Sequence, residues 1–139
     1  MREDARRVLV VDDEPLVASY LCDLLGSCGF SCQSASSAAD ALWLVASHEP
    51  DAAIMDIYLN GATDGIALAR LVRERFGTPI VFLSGGATDG VVADAMQIEH
   101  VRFLRKPSRA SEIVQALELA MLKPGSNTAV GEALNPLCF

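Results

Sequence analysis

Four short apolar runs stand out along the chain, and each stops abruptly at a polar residue. Val8-Leu9-Val10-Val11 ends at Asp12-Asp13, Ala52-Ala53-Ile54-Met55 at Asp56, and Pro79-Ile80-Val81-Phe82-Leu83 at Ser84. The fourth, Val101-Arg102-Phe103-Leu104-Arg105, ends at Lys106-Pro107. Runs this short read as buried strands rather than helices. A weaker strand is predicted at 30–35, and the strand that leads to Asp56 is predicted over 52–57. Between the runs the apolar spacing changes to that of a helix. Val17, Leu21, Leu24 and Leu25 follow Pro15, which suits a first helical turn. Gly26 or Gly29 can close that helix. Ala38, Ala41, Leu42 and Val45 follow Ser36-Ser37, which can cap a second helix stopped by Glu49-Pro50. Ile66, Leu68, Ala69 and Val72 mark a third. Two more are predicted over 88–97 and 108–122.

Five strands alternating with five helices, joined by short connections, specify a parallel sheet covered on both faces. In an open sheet of this kind, ligands gather beyond the carboxyl ends of the strands, where strand order reverses. Asp12, Asp13, Asp56, Ser84 and Lys106 are therefore expected at one spot, with Asp56 at its centre.

Composition narrows the function. Half of the 139 residues are apolar, and eleven basic against eighteen acidic residues give a formal charge of −7. No basic stripe is present, which argues against direct nucleic-acid binding. No apolar run approaches the ~18 residues needed to span a bilayer, and Met1-Arg2-Glu3-Asp4 does not open a signal peptide, so a cytoplasmic location is expected. Cys22, Cys28, Cys32 and Cys138 form no Cys-x-x-Cys pair, and His48 and His100 lie far from them in sequence. A zinc site or disulfide framework is disfavoured, and Cys22 and Cys32 read as small core hydrophobes.

Three carboxylates within a few ångströms cannot all remain ionised without compensation. One reading is protonation or solvation at a loop. The other, which is preferred here, is a hard divalent cation, since Mg²⁺ takes oxygen ligands, often one or two carboxylates plus a phosphate. A carboxylate beside such a metal can act as nucleophile toward a phosphoryl group and form an acyl phosphate. That group needs cationic and hydrogen-bonding partners. Lys106 offers a point charge, Ser84 a hydroxyl, and the Gly85 and Gly86 amides further donors.

Val11-Asp12-Asp13-Glu14-Pro15, Met55-Asp56, Leu83-Ser84 and Arg105-Lys106-Pro107 together resemble the receiver domain of two-component response regulators, as in single-domain chemotaxis regulators. The likeness covers about residues 7–122 and implies a flavodoxin-like strand order, 2-1-3-4-5. It implies that Asp56 is the phosphoacceptor, fed by a sensor histidine kinase or phosphotransfer protein. It further implies that Asp12, Asp13, Asp56 and the backbone carbonyl of Tyr58 hold Mg²⁺. Ser84 corresponds to the switch hydroxyl, Lys106 to the salt-bridging lysine, and Phe103 to the aromatic whose rotamer follows the switch. Departures are Leu59-Asn60-Gly61 where the family has Met-Pro, Asp64-Gly65 one residue late, Gly85 where alanine is usual, and Ser108 where an aromatic often stands.

The expected organisation is a receiver over 1–124 and a short tail over 125–139 without an output domain. Catalysis is expected only of its own phosphorylation and dephosphorylation. The alternatives are a receiver excised from a hybrid histidine kinase or larger regulator and, in another class, an aspartyl-phosphate phosphatase. The phosphatase reading is disfavoured because Asp12-Asp13 does not make Asp-x-Asp. The expected partner surface is formed by helix 4, strand 5 and helix 5, where Val91, Val92, Met96, Val114 and Leu122 exceed one buried stripe. Phosphorylation is expected to change self-association or target affinity through it. Trp43, opposite the stripe of helix 2, is a second candidate contact.

Overall fold

The computed structural model of the chain describes residues 5–61 and 64–122. Its elements alternate as β1 (Arg7–Val11), α1 (Pro15–Ser27), β2 (Ser31–Ala35), α2 (Ala38–His48), β3 (Ala52–Met55), α3 (Asp64–Phe76), β4 (Ile80–Ser84), α4 (Asp89–Ala95), β5 (Val101–Arg105) and α5 (Ala110–Ala120). The strands make one parallel sheet in the order β2-β1-β3-β4-β5. The two-residue period of the strands sorts the core into two layers. Leu9, Val11, Ala53, Met55, Ile80 and Phe82 face α2, α3 and α4. Val8, Val10, Ala52, Ile54, Val81 and Leu83 face α1 and α5. Every residue of β3 and β4 is buried, as central parallel strands require. Full burial of each large apolar side chain contributes about 1.5–3 kcal/mol.

Local signals set the helix ends. Pro15 opens α1, and Gly29 at φ 94° lies just beyond the Cys28 cap. Ser37 accepts the Asp40 amide at the start of α2, and Glu49 closes that helix in the left-handed region before Pro50. Thr88 accepts the Val91 amide at the start of α4. The Arg109 amide donates to Glu112 at the start of α5. On the opposite side of the molecule from the strand ends, buried Glu118 of α5 pairs with Arg6, whose guanidinium lies 5.3 Å from the Phe30 ring centroid.

Several expectations need correction. The strand predicted over 52–57 ends at Met55, so Asp56 and Ile57 lie just past it, although the Asp56 amide still donates to Val11 at 3.0 Å. The helix predicted over 88–97 shortens to Asp89–Ala95, and the one over 108–122 to Ala110–Ala120. Cys22 and Cys32 are half-buried rather than core, and their sulfurs lie 2.7 Å apart. Val114, counted among the surplus apolar residues of a surface, is fully buried against the sheet. The expected boundary at 124 and the tail over 125–139 lie outside the described residues. Among the described residues no helix is long and apolar enough to cross a membrane.

Candidate functional site

Strand order reverses between β1 and β3, and the chain leaves both strands at acidic residues. The Asp12 amide donates to Ala35 at the end of β2, and the Asp56 amide to Val11 at the end of β1. These bonds hold the two acids side by side just past the sheet edge. Ser84 ends β4, and Lys106 follows β5 with its amide donating to the Ser84 carbonyl at 3.1 Å. The register of the sheet thus gathers residues separated by up to 94 positions.

Asp56 stands at the centre. Its Oδ1 accepts the Ser84 hydroxyl at 2.6 Å and the Tyr58 amide at 3.0 Å. Its Oδ2 accepts the Lys106 ammonium at 3.1 Å. Lys106 also donates to Asp12 Oδ2 at 2.9 Å, while the Glu14 amide donates to Asp12 Oδ1 at 2.9 Å. Asp13 is half-buried, and its Oδ2 accepts the Asn60 amide at 2.8 Å. Asp12, Asp56 and Ser84 are buried. Burial alone would push the Lys106 ammonium down; its hydrogen bonds and charge pairing with Asp12 and Asp56 outweigh this and hold it above its ordinary value. The sign follows: this stabilisation is complete below pH 10.5, the ordinary lysine value, and fades only as pH rises through the higher folded value. Lys106 is charged throughout the neutral range.

One oxygen from each of Asp12, Asp13 and Asp56 lies within 4.8 Å of the others. Three carboxylates against one ammonium leave two negative charges in excess, and an all-oxygen donor set of that charge fits a hard divalent cation. Tyr58 is half-buried and adjoins this set through its amide.

Phe103 lies half-buried on β5, outside the acidic cluster. The Arg105 guanidinium sits 5.3 Å from its ring centroid, donates to the Ala87 carbonyl at 2.9 Å, and lies 3.7 Å from Asp89. Arg105 therefore joins Phe103 to the loop after Ser84 and to the start of α4. The sequence placed Arg105 at the end of the strand run, before Lys106-Pro107, and gave it no contact of its own. Period-2 alternation could have placed it on Phe103's side of β5, but not against Ala87. Gly65 was also undervalued. A Cβ there would lie 1.9 Å from the Asp56 carbonyl oxygen and 2.8 Å from that of Ile57. The backbone of α3 passes so close behind the acceptor that only hydrogen fits.

A family model described as the response regulator receiver domain matches residues 8–118. The positive alginate biosynthesis regulatory protein of Pseudomonas aeruginosa is 37% identical over 116 residues, covering 81% of this chain and 46% of that protein. The nitrogen assimilation regulatory protein NtrX of Azorhizobium caulinodans is 31% identical over 119 residues, covering 84% of this chain and 26% of that protein. The chain spans less than half the length of these two relatives. Among solved structures, the receiver domain of NtrX from Brucella abortus is 28% identical with a TM-score of 0.76, over 82% of this chain and 97% of that one.

Proposed function

The chain belongs to the response regulator receiver family, and on that premise we propose that Asp56 accepts a phosphoryl group from a phosphohistidine of a sensor kinase or phosphotransfer protein. One observation carries this reading: a single buried carboxylate receives a hydroxyl, an ammonium and an amide from three separate segments. In the step, an Asp56 carboxylate oxygen forms a bond to phosphorus. The bond from phosphorus to the histidine nitrogen breaks, its electron pair leaving with the imidazole. Lys106 offsets the negative charge of the transferring oxygens, and the Ser84 hydroxyl is free to donate to one of them once it releases Asp56. Asp12, Asp13, Asp56 and the Tyr58 carbonyl would hold Mg²⁺, which when bound offsets the charge of acceptor and phosphoryl group together. The chain's catalysis is confined to gaining and losing this group, and its setting is cytoplasmic.

The metal assignment has a direct consequence for stability. Millimolar Mg²⁺ should raise the melting temperature of the wild-type chain, because a ligand bound only by the folded state stabilises it by mass action, about 2.7 kcal/mol at a hundredfold excess over Kd. Asp13→Asn should remove most of that response. It should also leave the metal-free protein as stable as wild type or more so, since one of three crowded like charges is gone. A melting temperature that ignores Mg²⁺ in wild type would refute the metal site.

Switching is proposed to run from Ser84 through its loop to Arg105 and Phe103. Moving a pair of states from 1:99 to 99:1 needs about 5.5 kcal/mol of differential affinity. Ser84 and Lys106 already bond the Asp56 carboxylate, so only the excess strength of their bonds to phosphoryl oxygens counts toward it, and the contacts of the Ser84 loop, Arg105 and Phe103 supply the rest. Ser84→Ala should gain phosphate at close to the wild-type extent but lose the phosphate-induced change in a fluorophore or amide resonance near Phe103. An unaltered Phe103 response in that variant would place the switch elsewhere.

The output surface we favour is that of α4, β5 and α5. An open cleft of about 600 Å³ there is lined by Met96, His100, Phe103, Leu104, Gln115 and Leu119, among others. Exposed Met96 and half-exposed Leu122 both line it, and Val91 and Val92 of α4 are half-exposed. A downstream protein or a second copy of the chain engaging this face would sense the position of Phe103. On α2, Trp43 is exposed and packs edge-on against His48 with centroids 5.9 Å apart, a smaller feature without a link to Asp56 among the described residues.

A further inference from the structure

Away from the acidic site, two nucleophilic side chains meet. Cys22 of α1 and Cys32 of β2 are free thiols whose sulfurs lie 2.7 Å apart. We propose that this pair is an oxidation site at which a neutral peroxide converts the two thiols into a reversible disulfide that locks α1 to the edge strand β2.

The geometry is already close to that product. A disulfide has a sulfur–sulfur distance of about 2.05 Å. Closing the remaining gap moves the sulfurs together by less than an ångström. The turn between the two residues is fixed by the Cys28 and Phe30 amides, both donating to the Leu25 carbonyl at 3.0 Å. The pair is therefore held in register by the fold.

The two sulfurs share one hydrogen bond in which either can be the donor. That bond favours the thiolate of whichever sulfur accepts it, and the thiolate makes the first attack. Its partner is the resolving thiol.

Access and charge select the oxidant. Both cysteines line an open cleft of about 640 Å³, whose wall includes Asp12, Asp23 and Asp40. Three carboxylates disfavour anionic oxidants such as oxidised glutathione, whereas hydrogen peroxide is small and uncharged. In the first step one of the two sulfurs, as thiolate, attacks one peroxide oxygen. The O–O bond breaks, hydroxide leaves, and that cysteine becomes a sulfenic acid. The other sulfur then attacks it. The S–O bond breaks, and the departing hydroxide takes the second thiol's proton as water. Overall, two thiols and one peroxide give one disulfide and two waters, with two electrons passing from sulfur to oxygen. A small dithiol reverses it by exchange.

The test uses the full chain, reduced, freed of reductant and treated with equimolar hydrogen peroxide. No lysine or arginine separates the cysteines at 22, 28 and 32, so trypsin leaves them on one peptide; cleavage before Asp23 separates Cys22 from the rest. We expect the Cys22 fragment to be recovered linked to the fragment carrying Cys32, with the bond located at Cys32 by fragmentation and lost after dithiothreitol. Linkage to Cys28 or Cys138 instead, or no linkage, overturns the proposal. A sulfenic-acid trap such as dimedone should label the remaining thiol in Cys32→Ser or in Cys22→Ser, where no resolving partner is left. Absence of label in both variants overturns the sulfenic route. Oxidation should also slow amide exchange across α1, and unchanged exchange in a fully linked sample would remove the locking.

Discussion

Asp56→Asn is expected to abolish phosphoryl uptake outright. Intact mass after treatment with acetyl phosphate and Mg²⁺ should show wild type gaining one phosphoryl group and the variant none. The substitution is nearly isosteric. Its side-chain oxygen can still accept from Ser84 and Tyr58, which meet Asp56 Oδ1 at 2.6 and 3.0 Å. Lys106 keeps its 2.9 Å bond to Asp12. What disappears is the anionic nucleophile, and an amide oxygen does not replace it. Because one of three crowded negative charges is removed, the variant's melting temperature should equal or exceed that of wild type without metal. Loss of uptake with an intact melting transition separates lost chemistry from lost fold. A full phosphoryl gain by the variant would move the acceptor to Asp12 or Asp13.

Gly65→Ala should destabilise the chain more than any other single methyl group added near the site. The new carbon would lie 1.9 Å from the Asp56 carbonyl oxygen and 2.8 Å from that of Ile57, and both are backbone atoms. The Gly65 amide also donates to the Ile57 carbonyl at 2.9 Å, so α3 cannot retreat without breaking that bond. Overpacking against flexible side chains costs about 1–3 kcal/mol. Against fixed backbone the cost should reach about 3 kcal/mol or more, a drop in melting temperature of roughly 10 °C for a domain of this size. Gly90 serves as the control, because a methyl there meets nothing within 4 Å. On α4, Gly90→Ala should leave stability unchanged or raise it by about 0.5–1 kcal/mol. Equal denaturation midpoints for Gly65→Ala and wild type would disprove the close approach.

The central strands were legible in the sequence because burial on both faces leaves unbroken apolar runs, as in β1, β3 and β4. β2 was faint for the opposite reason: Gln33 and Ser34 are exposed at a sheet edge and carry no such run. The gathering of Asp12, Asp13, Asp56, Ser84 and Lys106 followed from where the runs stop. Features set by contact between distant segments were not legible. Asp64-Gly65 stood out only as a family motif one residue late, and the sequence carries no sign of the Asp56 carbonyl behind Gly65. Val114 seemed surplus because α5 buries a wide stripe, with Ile113, Val114, Ala116 and Leu117 all against the sheet. Ten positions separate Cys22 from Cys32, and only the packing of α1 on β2 aligns their sulfurs.

The three donors on the Asp56 carboxylate come from the loop after β3, the end of β4 and the loop after β5. Ser84 and Tyr58 share one oxygen of that carboxylate and Lys106 takes the other, so a group bonded to either oxygen displaces one set of donors directly and alters the charge that the other set sees. The acceptor thus works as a junction of three roads, and which oxygen carries the group decides which road is closed first.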